Sequence, residues 1–142
     1  MAIHIEWVGF AEGSALDSRQ AVTLVGFNQC LVSPEELPFK WQSQIIVIAK
    51  EAEDSPAESA SGFVTVTIKD PAGNVIASIS NFVNATRKHP DVPASVIMAV
   101  MVGLDVAEHG SFEVEATARE TQDGPVTSRK SQTLYVIAKL KP

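Results

Sequence analysis

The residues able to do chemistry are few: His4, His89, His109, the single cysteine Cys30, and the adjacent acids Glu35 and Glu36. Nucleophilic catalysis needs a Ser or Cys activated by a base that a third group orients. Neither Cys30 nor any serine sits in a recognised nucleophile motif such as G-x-S-x-G, and the histidines fall in predicted loops or on an exposed strand face. His4 and Glu6 share one face of the first predicted strand and could form half of a metal site. No further His or Cys follows at ligand spacing, so the sequence predicts no metal, and exposed polar alternation accounts for the pair. Glu35 and Glu36 lie in the first turn suggested by Ser33-Pro34-Glu35-Glu36, where acids favoured by the helix dipole are commoner than acid/base catalysts. The glycines make neither G-x-G-x-x-G nor G-x-x-x-x-G-K-S/T, so no phosphate cradle and no cofactor is expected. Trp7 and Trp41 could serve as stacking platforms for a small ligand or carbohydrate, against a preferred reading of both as core.

Composition narrows the classes further. The chain has 142 residues, a hydrophobic fraction of 45% and a charged fraction of 20%, which fits one domain over 1–142 with its own core. The net charge of −6 argues against nucleic acid and against anionic membranes as partners. Arg87-Lys88-His89 and Arg129-Lys130 are too short to reverse that and read as solvated loop or strand face. One cysteine excludes an intramolecular disulfide and any multi-cysteine cluster within the chain; its expected place is a small buried residue near a strand end. The first residues enter an alternating strand with no secretory pattern, from which a cytoplasmic location is expected, and Asn84-Ala85-Thr86 then carries no weight as a glycosylation acceptor.

The elements that must position these residues are strands. Phe63 to Lys69 alternates, with Val64, Val66 and Ile68 on one face and Thr65, Thr67 and Lys69 on the other. Asp70-Pro71-Ala72-Gly73-Asn74 supplies a reversal, and Val75 to Ile79 returns, extended by Asn81 to Val83. Ile3, Ile5 and Trp7 are predicted to point inward from a first strand. Ala11 to Gln20 reads as a loop, Ala21 to Phe27 as a strand, and Ser33 to Glu36 as at most one short helical turn, limited by Pro38. Ile45-Ile46-Val47-Ile48 is apolar on both faces and predicts a central strand or one beneath a loop. Glu51 to Gly62 predicts an exposed loop, and Asn84 to Pro93 a polar connection. Phe112, Val114, Ala116 and Ala118 mark a clean amphipathic strand, and Leu134, Val136 and Ala138 the inward face of the last.

Val96 to Val102 is the most apolar segment. It reads as a strand covered on both faces, or as one whose Ile97, Ala99 and Met101 face a partner subunit; a helix is also compatible with so short a run. The sum is an all-β chain, an antiparallel β-sandwich rather than a barrel, of about eight strands. The closing Gly-aromatic strand, polar hairpin and final strand are immunoglobulin-like in form, without the Cys-Trp-Cys signature of antibody domains.

The order and spacing of several stretches carry a resemblance: a leading strand and Gly/Ser/Asp loop, Val22-Thr23-Leu24-Val25-Gly26-Phe27, Leu37-Pro38-Phe39, Ile45-Ile46-Val47-Ile48-Ala49, the hairpin Ile68 to Ile76, and His109-Gly110-Ser111-Phe112-Glu113-Val114. In these the chain resembles a family of small uncharacterised bacterial β-sandwich proteins. The resemblance implies the fold and no activity. The expected function is a non-catalytic protein-interaction or structural module that self-associates or docks on a protein partner, with Ile97, Ala99 and Met101 as its surface. A small-ligand or carbohydrate binder is the alternative, and a hydrolytic enzyme the least favoured. Accordingly Cys30→Ala, His89→Ala and His109→Ala should fold normally and complement a deletion strain. Loss of complementation with the fold intact, checked by circular dichroism, would return the chain to the enzymes.

Overall fold

The period-two stretch and its turn form the hairpin the sequence predicts. In the computed structural model, which describes residues 3–16, 22–25, 30–52 and 59–138, β6 (Ser59–Lys69) pairs antiparallel with β7 (Val75–Thr86). Val64, Val66 and Ile68 are buried. At the turn, the Asp70 carboxylate accepts the backbone N–H of Asn74 at 2.8 Å and of Ala72 at 3.0 Å, and Gly73 takes a φ of +90° that a Cβ would strain. Those donors, the Asn74 N–H foremost, hold the Asp70 carboxyl below its ordinary value of 3.8.

Eight further strands surround the hairpin, and no helix occurs among the described residues: β1 (Ile3–Ala11), β2 (Gly13–Leu16), β3 (Val22–Val25), β4 (Leu31–Val32), β5 (Phe39–Glu51), β8 (Ser95–Val106), β9 (Gly110–Arg119) and β10 (Val126–Val136). They form a three-stranded sheet ordered β1-β5-β8, a five-stranded sheet ordered β4-β10-β9-β6-β7, and the small β2-β3 pair. All ladders are antiparallel except the two-residue pairing of β4 with β10. The two larger sheets face each other in a sandwich-like arrangement. Its core joins Ile5, Phe10, Trp41, Ile45, Val47 and Val102 from one sheet to Val64, Ile68, Phe112, Val114 and Leu134 from the other. Each such side chain, fully buried, contributes about 1.5–3 kcal/mol.

Several expectations are corrected by this arrangement. Among the described residues the strands number ten, because β2 forms inside a predicted loop and β4 is too short to show as a pattern. The predicted helical turn at Ser33 to Glu36 is a bend, since Pro38 has no N–H to close a turn onto Pro34. The predicted loop Glu51 to Gly62 is strand at both ends: Glu51 ends β5, buried at 3% exposure, and Ser59 to Gly62 begin β6, while 53–58 lies outside the described residues, as do 17–21, 26–29 and 139–142. β7 runs on to Thr86, beyond the predicted Val83.

Trp7 is the correction with the widest effect. The register slips between Ile5 and Trp7, so that Ile5 opposes Ala49 and Trp7 opposes Ile48, leaving Glu6 as the extra residue of a bulge. The inward parity therefore changes from Ile3 and Ile5 to Val8 and Phe10, and Trp7 turns to the outer face, half-buried.

The sandwich has two unlike sides. On one, β1 packs against β9 and β10, and the Ile5 N–H donates to Ser128 Oγ at 3.0 Å, so the seam is closed. On the other, β7 and β8 are both edge strands, joined by an arch over 87–94. Arg87 is not a solvated loop residue: its Nε donates to Glu51 Oε1 at 2.6 Å, its Nη1 to the Pro90 carbonyl at 2.8 Å, and the Ala94 N–H reaches the same Glu51 oxygen at 3.3 Å. The arch is thereby tied to the end of β5. Removing one partner of such a pair strands a charge where water is scarce. Arg87→Ala should lower the unfolding free energy in urea by about 3 kcal/mol, the low end of the usual range for a buried pair, because Arg87 keeps 24% of its side chain exposed; a loss below about 1 kcal/mol would show that the arch is held by its backbone alone.

Candidate functional site

The chemistry-bearing side chains do not converge. The bulge gives His4 and Glu6 different partners: Glu6 pairs with Lys50 at 2.8 Å, and His4 Nδ1 lies 3.3 Å from Ser128 Oγ. His89 is exposed, its Nδ1 accepting the Asp91 N–H at 3.1 Å within the arch. His109 is exposed ahead of β9, and Cys30 is half-buried just before β4, its carbonyl accepting the Tyr135 N–H at 2.7 Å. Glu35 and Glu36 are exposed on the bend. Among the described residues no three His, Cys, Asp or Glu side chains gather as a metal site.

What does converge is apolar. β8 alternates strictly: Val100, Val102, Leu104 and Val106 are buried, while Ile97, Ala99 and Met101 face out. The segment is therefore covered on one face only, not on both. Each outward residue ends a row that crosses the small sheet. Trp7, Ile48 and Ile97 are in register, as are Gly9, Ile46 and Ala99, and then Ala11, Gln44 and Met101. This explains the apolar run at Ile45 to Ile48, because its even members serve the outer face and its odd members the core. Gly9 is required in its row: a Cβ there would stand 2.2 Å from the Trp7 ring, which occupies the space a side chain would take. Ile46 is buried, Ile48 half-buried, and exposure rises toward the edge, to 44% at Ile97 and 67% at Met101.

The open side continues this surface. In the first half of β7, Val75 pairs with Lys69 across a bulge at Ile76 and turns to the outer face, while the inward-pointing Ala77 and Ile79 look toward the core yet leave Ile79 39% exposed, because the three-stranded sheet stops short of them. They and the neighbouring Val66, Ile68, Val100 and Val102 line a cleft of about 250 Å³ between the two edges. The Asn81 side-chain amide spans its far end to Met98 Sδ at 3.9 Å. A second cleft, of about 310 Å³, lies where β4 meets β5. Trp41 borders it but is 6% exposed and stands edge-on to Phe10, with ring centroids 5.8 Å apart, so it offers no face for stacking.

Sequence reasoning named Ile97, Ala99 and Met101, and all three share the exposed face. It missed Trp7 on that face, since a one-residue bulge leaves no periodic trace, and it predicted the β7 strand without assigning it to the surface. The signal available for β7 was the absence of any charge from Val75 to Thr86. No family model matches the chain, and a comparison with curated proteins finds no match. The split between the two faces of β8 and β5 has a direct test. Met101→Ala should change stability by no more than about 0.5 kcal/mol, whereas Ile45→Ala should cost about 2–5 kcal/mol by denaturant titration; equal losses would place Met101 in the core.

Proposed function

We propose that the protein is a non-catalytic interaction module that self-associates through the side where β7 and β8 lie open. The observation that carries this is the pair of long, uncharged edges bordering exposed apolar residues on both strands. Each edge has twelve residues, and Asp105 is the one charge on either. Edge strands that stay monomeric are ordinarily blunted by Lys, Pro, a bulge or shortness. On the closed side those devices occur: β1 is bulged, β10 is bulged at Val126/Ser128, and β4 has two residues, whereas the bulge of β7 is confined to its first residues, at Ile76. β8 has twelve pairs with β5 in unbroken register and none of these devices.

The scattered histidines and the half-buried Cys30 support the non-catalytic part of this reading. Two facing, mostly antiparallel sheets support an immunoglobulin-like architecture within one domain over 1–142, and kinship with the bacterial β-sandwich family that the sequence resembles. A single thiol and an acidic composition favour a cytoplasmic setting. A second reading, a small-ligand or carbohydrate binder, rests on Trp7 turning outward. It is the weaker, because the ring lies against Gly9 and is half-buried.

Light scattering tests the main reading. The purified chain should show a discrete mass that is a multiple of 15.2 kDa, and Ile79→Lys should weaken the association at least about ten-fold while leaving the melting temperature nearly unchanged. A mass of 15.2 kDa at every concentration would remove self-association.

A further inference from the structure

We infer that two copies join in a lap joint, β8 of each pairing antiparallel with β7 of the other about a two-fold axis parallel to the strands. This rests on the self-association proposed above and adds its geometry. The uneven sheets dictate it. β7 projects beyond β8, which is why Ala77 and Ile79 point inward and yet are not fully covered, Ile79 being 39% exposed. A two-fold axis along the strands exchanges the front and back layers, so the partner's projecting β7 enters the recess beside β8, and the reverse. An axis normal to the sheets would instead set β8 against β8 and drive the two projecting β7 strands together while the β8 edges stayed apart. Only the first arrangement is self-complementary, as an isologous contact must be.

The same axis fixes the register, because rotation about it leaves every residue at its own height along the strands. Within one chain, Asn81 lies level with Met98, and β7 and β8 run in opposite directions from the arch that joins them. Across the joint, Ala99 therefore meets the partner's Ser80, Ile97 the partner's Phe82, and Met101 the partner's Ser78. The parity agrees, since all six of these side chains are on outer faces: each strand's inward set alternates with them, Val100 and Val102 on β8 and Val83 and Ala85 on β7. Inward, the incompletely covered Ala77 and Ile79 of the two β7 strands face each other across the axis and make the two cores continuous.

Charge and area are both compatible with a stable dimer. In this register, with the bulge at Ile76 counted, β7 spans Ser95 to Gly103 of the partner, so the one edge charge, Asp105, falls past its end and opposes no like charge. Nine residues at about 3.4 Å each, on two layers each about 10 Å thick, give a contact on the order of 600 Å² per copy. Stable interfaces of standard size bury about 800 Å² per copy.

Directly opposed residues on paired strands bring their Cα atoms within disulfide reach. In a Cys30→Ser background, the double variant Ala99→Cys/Ser80→Cys should form covalent dimers on mild oxidation, with at least ten-fold more product than Ala99→Cys or Ser80→Cys alone. The same comparison with Cys30 retained controls for that substitution. Within one chain the two positions point outward from opposite layers, so the bond must be between copies. If light scattering gives a dimer but Ala99→Cys alone cross-links as well as the double variant, or the double variant fails to cross-link, the lap joint is wrong and self-association stands. A monomer by light scattering overturns both.

Discussion

A sheet of three strands cannot cover a sheet of five, and much of this molecule follows from where the shortfall is placed. Burial of apolar surface is roughly proportional to the area taken from water, so a strand pointing valines and isoleucines at an absent layer forgoes that gain. The shortfall could have been divided between the two sides. Instead β1 leans against β9 and β10 on one side, and the apolar deficit falls on the first half of β7. The opposite half of β7, with Val83 and Ala85, is buried next to the arch. Coverage thus fades along a single strand.

The arch explains why it fades in that direction. Glu51 is an acid at 3% exposure, and its desolvation is offset by the Arg87 guanidinium and the Ala94 N–H converging on one oxygen. This ties the start of β8 to the end of β5 and draws the two layers together beside Thr86 and Ser95. Moving away from that anchor, β7 and β8 separate, Asn81 and Met98 still touch, and beyond them the cleft opens. A polar cluster with little apolar surface of its own therefore decides which part of an apolar strand is left uncovered.

Sequence reading recovered what repeats and lost what occurs once. Val64, Val66 and Ile68, and Phe112, Val114, Ala116 and Ala118, announce their faces by alternating with polar residues, and all are buried as expected. Val96 to Val102 has no polar member, so nothing in it marks one face from the other; pairing with β5 sets the parity. The Glu6 bulge is a single inserted residue whose only consequence is that everything after it changes sides, and Trp7 was misplaced for that reason. Glu51 looked like the start of an acidic loop because the partner that makes its burial tolerable, Arg87, is 36 residues away. The candidate surface was legible as three residues on one strand, while its extension over β5 and β1 exists only through cross-strand register.

The closed seam has a consequence for how the chain comes together in time. β1 and β10 are the first and last strands described, and the bond from the Ile5 N–H to Ser128 Oγ spans 123 positions. Contacts so distant in sequence put the chain among the high-contact-order topologies, whose folding is slow because loop closure must precede the gain from pairing. On the ribosome the first strand must also wait, its outer flank unmatched, until β10 has emerged. The side that finishes most tightly sealed is thus the one that stays unsealed longest, and the β6-β7 hairpin, whose partners are adjacent in sequence, is available throughout that interval as the ready template.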